Sequence, residues 1–253
     1  MLKKRMRMFA GPNGSGKSIL FDQLRSNNIP LGPLVNADII QQQLLKSNQI
    51  SLSEHNLKGI TQSTWKKMIS ELADLNSRIQ RMNRTPQITI QDDLLYLPKN
   101  QVTSYTSALI ADFLRFCLVD QGVDFSFETV MSHQSKVNFL TYCKCYGYIT
   151  YLYYVATDGV EINIQRVANR VAKGGHNVPE VKIRDRYEKS LALLYSALKE
   201  ADRAFLLDNS GEEARYLVLE KKLNGNAYLL VEPTPIWYNT YIQNKLNKSV
   251  KDV

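Results

Sequence analysis

The sequence predicts an α/β fold built on a mostly parallel sheet, and three observations support this. Short β-rich runs alternate with stretches of helical length along the 253 residues, the pattern of successive βαβ units. A glycine-rich segment at residues 11–18, GPNGSGKS, stands between a β-like run and a helix-like run. Gly11, Asp38, Glu128 and Asp208 each fall just after a predicted strand, at the strand ends where parallel sheets bind ligands.

The elements follow in order. Arg5, Met6, Arg7, Met8, Phe9 and Ala10 read as a strand entering the glycine segment, and 19–24 as the helix leaving it. Residues 34–36 read as a second strand, and Asp38 opens a helix over 39–45, a position where an aspartate is also a good helix cap. The sequence SLSE at 51–54 is a capping-box pattern that starts more helix, running to about Met82 and broken by Pro86. Residues 83–101 are of mixed polarity with one short β-like piece at 87–90. The span 49–101 therefore reads as a largely helical insertion or cap on the core. Residues 103–121 form a strong amphipathic helix, with Leu109, Phe113, Phe116 and Cys117 at helical spacing and Gly122 at its end. A strand at 124–127 leads to Glu128 and Thr129, a helix at 132–146 closes at Gly147, and 148–155 is a long β-rich run. Helices follow at 159–172, broken by Gly174 and Gly175, and at 180–202. A strand at 203–207 ends in Asp208, Asn209 and Ser210. A last strand at 227–231 and a helix near 236–247 complete the chain.

Composition narrows the function classes. Hydrophobic residues make up 44% and charged residues 22%, ordinary for a globular protein. No apolar run reaches the roughly 18–20 residues of a membrane span; the longest, 146–156, is tyrosine-rich and reads as a buried strand. The basic start (Lys3, Lys4, Arg5, Arg7) runs into the glycine segment where a signal peptide needs its apolar region. Cys143 and Cys145 are separated by one residue, which fits neither a redox pair nor a zinc site. The three cysteines read as reduced thiols of a cytoplasmic protein. His55 and His133 suggest no metal site. The formal charge of +8 favours acidic ligands such as nucleotides, phosphosugars, nucleic acid or an acidic protein. The tyrosines of 148–154 lie at strand spacing, as core and sheet surface.

The segment Gly11, Pro12, Asn13, Gly14, Ser15, Gly16, Lys17, Ser18 fills every fixed position of G-x-x-x-x-G-K-[ST]. Glycines let the backbone come close to a polyphosphate. Successive N–H groups and the following helix dipole then face the phosphate oxygens. Lys17 is placed to reach the β- and γ-phosphates, and the Ser18 hydroxyl to ligate Mg²⁺. The fold class is thus a P-loop NTPase three-layer sandwich, expected as a single domain over 1–253 with ATP and Mg²⁺ as cofactors.

Phosphoryl transfer needs the phosphates held, the metal placed, the acceptor hydroxyl oriented and charge neutralised. Asp38, at the end of the next strand, is the candidate base for an acceptor hydroxyl. Glu128 and Thr129 are candidates for contacts with the substrate or with Mg²⁺-bound water. Arg166 and Arg170 are four residues apart, on one helix face, ahead of the cationic turn Lys173, Gly174, Gly175, His176. Arg184 and Arg186 follow. The span 158–187 reads as an arginine-bearing lid that closes over the γ-phosphate, and His176 as a phosphate ligand or a cap of the turn.

Taken together, these pieces resemble the zeta-toxin-like family of P-loop kinases. The matching stretches are GPNGSGKS at 11–18, VNAD at 35–38, FET at 127–129, QRVANRVAKGGHNVP at 165–179 and DNS at 208–210. The resemblance covers about 11–48 and 103–210. It implies transfer of the ATP γ-phosphate to a sugar hydroxyl, which in zeta toxins is the 3′-hydroxyl of UDP-N-acetylglucosamine. It gives Lys17 the phosphate-binding role, Asp38 the general-base role, and Arg166 the role of a lid arginine. Glu128 and Thr129 fall where the family binds the aminosugar nucleotide. Where the family pattern expects a second lid arginine, this chain offers Arg170 or His176. An antitoxin partner is implied by analogy. Two alternatives stay open: a kinase of nucleic-acid ends, which the positive charge permits, and an ATP-binding or ATPase switch that controls a partner.

Overall fold

The computed structural model describes residues 3–80, 82, 85–175, 177–211 and 215–246. His176, a predicted site residue, lies outside the described residues. The chain separates into two compact units, one of Met1–Pro30 with Glu128–Val253 and one of Leu31–Phe127.

The first unit holds β1 (Arg5–Ala10), α1 (Lys17–Ser26), α6 (Ser135–Cys145), β7 (Ile149–Ala156), α7 (Val160–Ala172), α8 (Glu180–Glu200), β8 (Arg203–Asp208), β9 (Tyr216–Lys221), β10 (Ala227–Leu229) and α9 (Ile236–Tyr238). A π-helical turn, Asn239–Gln243, continues α9. Its strands lie in the order β10-β9-β8-β7-β1. The β1–β7 and β7–β8 pairs are parallel, while β9 runs antiparallel to both β8 and β10. The sequence predicts no element over 211–226, where β9 forms.

Register explains why helices cover both faces. Phe9, Tyr153 and Phe205 are aligned across β1, β7 and β8, so their side chains share a face. Their rings stack at 4.9 Å, and Phe21 of α1 meets Phe9 edge-on at 5.2 Å. The next register row, Ala10, Tyr154 and Leu206, points the other way. There the Tyr154 hydroxyl lies 2.9 Å from Ser190 Oγ of α8. Full burial of an apolar side chain the size of Phe9 or Leu206 stabilises by about 1.5–3 kcal/mol. The three-layer arrangement expected from the sequence is present in this unit.

The second unit holds β2 (Leu34–Val35), α2 (Ala37–Ser47), β3 (Gln49–Ser51), α3 (Gln62–Glu71), α4 (Ala73–Gln80), β4 (Thr89–Gln91), β5 (Leu94–Tyr96) and α5 (Ser104–Asp120). β6 (Phe125–Thr129) begins here and runs on into the first unit at Glu128. β2 pairs parallel with β6, and β3, β5 and β4 form an antiparallel sheet in that order. Three local expectations are corrected. SLSE at 51–54 opens no α-helix: Ser51 closes β3, and Ser53–His55 is a single 3₁₀ turn. Ser51 Oγ is held by Ser53 Oγ at 2.9 Å, and Leu52 N donates to Asp93 O, so the backbone is already committed to the sheet. Residues 49–101 carry three strands besides α3 and α4, where the sequence suggested one β-like piece. α5 is buried on all sides rather than amphipathic, polar Asp112 and Arg115 included. Arg115 pairs with Asp112, and its guanidinium lies 4.4 Å from the Phe127 ring centroid, which is how a charge is tolerated there.

Candidate nucleotide site

The glycine loop is shaped by close backbone contacts. Gly11 has φ +137°, and a Cβ there would stand 2.1 Å from Val155 O. Gly14, at φ +80°, faces Asn163 O at 2.6 Å in the same sense. Only glycine fits these two positions. Gly16 is left-handed and caps α1, whose first residue is Lys17, so the helix N-terminus opens straight off the loop.

Two asparagines hold the loop from outside. Asn163 of α7 is fully buried and donates to Asn13 O at 2.6 Å. Thr157 donates to the Asn163 side-chain oxygen, and Tyr187 donates to Thr157 O at 2.6 Å. Asn209, just past β8, donates to Ser15 O at 2.7 Å. Asp208 is also buried and serves this corner. It accepts from Ser210 N at 2.9 Å and from Trp237 Nε1 at 2.7 Å. The sequence reading noted the Asp208, Asn209, Ser210 turn but missed Asn163. The missed signal was a polar residue inside an apolar stripe: Val160, Val167 and Val171 of α7 pack with Ile183 and Val178.

The reactive side chains converge at the head of α1. Lys17 is buried and donates from Nζ to Pro12 O at 2.9 Å. Its ammonium is 3.8 Å from Glu128 Oε1. The exposed Ser18 hydroxyl lies 3.1 and 2.9 Å from the two Glu128 carboxylate oxygens. The Thr129 hydroxyl is turned to the backbone two residues on, accepting from Met131 N at 3.0 Å. A hydroxyl facing a carboxylate is an all-oxygen donor set that suits a hard divalent cation. Among the described residues no cluster of three or more His, Cys, Asp or Glu side chains could hold a metal ion.

The arginines separate into distinct roles. Arg166 donates to Asn209 O at 2.6 Å and to Gly211 O at 2.9 Å, which brings it to the loop. Arg170 is exposed in the last turn of α7, and its carbonyl accepts from Gly175 N. Arg184 is ion-paired with Glu161 at 2.5 Å and Glu180 at 2.7 Å. Those hydrogen bonds, Glu161 first, hold its pKa above the usual arginine range. Arg215, which the sequence reading passed over, donates to Gly16 O at 3.4 Å. Asp38 lies in the second unit, exposed in the first turn of α2. The cap of that helix is Asn36, whose Oδ1 accepts from Asp38 N at 2.8 Å, so Asp38 is not the N-cap.

The fold and the loop define a P-loop α/β protein. No family model matches the chain. Its fold is similar to that of the AvrRxo1-ORF1:AvrRxo1-ORF2 complex with sulphate ions (TM-score 0.58, 13% identity, 94% of this chain and 63% of that one). The same complex with ATP gives a TM-score of 0.57 at 13% identity, covering 96% of this chain and 63% of that one. The PezAT chromosomal toxin-antitoxin system of Streptococcus pneumoniae gives a TM-score of 0.52 at 12% identity, covering 98% and 86%. At these identities the likeness is one of fold, and it agrees with the zeta-toxin-like resemblance of the sequence. An uncharacterised protein of Haemophilus influenzae is 32% identical over 69 residues, 27% of this chain. The chain spans about half, 49%, of that relative's length. Among the described residues no helix is long and apolar enough to cross a membrane.

Proposed function

We propose that this chain is a cytoplasmic ATP-dependent phosphotransferase that moves the γ-phosphate to a hydroxyl of a small nucleotide-sugar-like acceptor. The observation that carries the reading is the convergence of Lys17, Ser18 and Glu128 at the head of α1, beneath a loop whose glycines admit no side chain. Loop amides and Lys17 bind the β- and γ-phosphates and hold them in line. Ser18 and Glu128 are the residues that would hold Mg²⁺, and the bound ion would offset phosphate charge. Arg166 reaches the loop through Asn209 and stabilises charge on the transferred phosphoryl group. Arg170 adds positive charge from the same helix.

Asp38 accepts the proton of the acceptor hydroxyl. Its support is its place just past the carboxyl end of β2 and its exposed carboxylate. Thr129 and Glu128 contact the acceptor, the role that the resemblance of FET at 127–129 suggests. UDP-N-acetylglucosamine is the first acceptor to test, on the strength of VNAD at 35–38 and FET at 127–129. An antitoxin partner is proposed from the PezAT likeness. The test is incubation with ATP, Mg²⁺ and UDP-N-acetylglucosamine, read by mass spectrometry. A phosphorylated nucleotide sugar, lost in Asp38→Asn, is expected. Product formation that survives Lys17→Ala contradicts the site.

A further inference from the structure

We infer that Arg215, in the segment between β8 and β9, is a second guanidinium that grips the phosphates of the bound nucleotide beside Arg166. This rests on the kinase reading above and adds a residue to the same site. Arg215 donates to Gly16 O, the carbonyl of the residue that caps α1. Arg166 approaches from α7 and donates to Asn209 O and Gly211 O. Asn209 in turn donates to Ser15 O. Both guanidiniums therefore face backbone carbonyls of the loop and of the residues just past β8, Arg215 at 3.4 Å and Arg166 at 2.6 and 2.9 Å.

The electrostatics point the same way. Burial first, and the neighbouring Arg166 charge second, lower the Arg215 pKa. Two like charges held close in a half-buried place oppose each other. A polyphosphate beside them turns that repulsion into attraction, and the planar fork of arginine suits phosphate oxygens. The alternatives for a second arginine are weaker. Arg184 is bound to Glu161 and Glu180. Arg170 is exposed at the far end of α7 from Asn163, the residue that touches the loop. The cation beside Arg166 therefore comes from the β8–β9 connection.

The test uses the full chain and its Arg215→Ala, Arg215→Lys and Lys17→Ala variants. Calorimetry measures binding of ATP and of inorganic tripolyphosphate, and melting is followed without added ligand. Arg215→Ala is expected to lose about tenfold or more in affinity for both ligands, the scale of a lost charge-assisted hydrogen bond. Arg215→Lys is expected to recover only part of that loss. The melting temperature of Arg215→Ala is expected to equal or exceed that of the wild type, since one of two like charges is gone. If Lys17→Ala loses ATP binding while Arg215→Ala keeps it, this inference falls and the kinase reading stands. A loss toward ATP with none toward tripolyphosphate overturns the phosphate contact and moves Arg215 to the nucleoside. Absence of ATP binding by the wild type overturns both.

Discussion

Ser18 and Glu128 are joined by hydrogen bonds from one hydroxyl to both carboxylate oxygens, at 3.1 and 2.9 Å, although 110 residues separate them in the chain. The Lys17 ammonium stands 3.8 Å from the same carboxylate. One acidic group thus faces both side chains through which a phosphate loop manages charge. A carboxylate beside the loop serine is well placed to help hold a divalent cation, and the resemblance assigns the same residue to the acceptor. The two roles differ in what they make sensitive to metal.

Glu128→Gln keeps a hydrogen-bonding oxygen and removes the charge. Its half-saturating Mg²⁺ concentration is expected to rise about tenfold to a hundredfold, as when a partner of a metal ligand is lost. Paramagnetic resonance of Mn²⁺ in the presence of ATP reads the same change without turnover. An unchanged metal requirement with a raised KM for the acceptor would assign Glu128 to the acceptor alone.

Lys17→Ala removes the one buried ammonium in the loop. ATP affinity and turnover are both expected to fall, turnover by about 10²–10³ if the lysine acts as a preorganised donor. Equilibrium binding and single-turnover transfer, measured side by side, separate the two losses.

Asp38→Asn tests the base without testing the fold. Asn36 caps α2, so the substitution removes a charge from the first helical turn, worth about 0.3–1 kcal/mol. ATP affinity is expected to hold while transfer drops by about 10²–10⁴. Wild-type transfer by this variant would end the general-base assignment.

Gly11→Ala is expected to destabilise the protein by about 1–3 kcal/mol, through a contact with Val155 O and a positive φ. That corresponds to roughly 2–4 °C in melting temperature per kcal/mol for a chain of this size. Gly159→Ala, where a Cβ meets nothing within 4 Å, is the control and should melt near the wild type.

The parts legible in the sequence are those whose physics is local. β1, the loop and α1 follow from the glycine spacing and the apolar runs beside it, and they were read within about two residues. β7 and β8 show as β-rich runs because one face is buried and the other only partly exposed. The antiparallel sheet of 49–101 was hidden because each of its strands is three residues long, too short for a period to show. The sequence of α5 suggests an amphipathic helix because Asp112 and Arg115 interrupt its apolar positions, yet both are buried, and Arg78 and Arg115 both pair with Asp112. In the candidate site, the loop and Arg166 are legible from motif and spacing. Asn163 and Arg215 are not, because each reaches a backbone carbonyl far away in sequence, Asn13 O and Gly16 O. Arg184 lies in the arginine-bearing span 158–187 and is ion-paired there with Glu161 and Glu180.

The central claim is that the γ-phosphate leaves ATP for a hydroxyl. Its most direct test supplies ATP labelled at the γ-phosphate, with Mg²⁺, alongside UDP-N-acetylglucosamine, related nucleotide sugars and oligonucleotide 5′-ends. Label in a nucleotide sugar, absent with Lys17→Ala and Asp38→Asn, is the expected result. Label released only as free phosphate, whatever the acceptor, would contradict it and make the chain an ATPase switch.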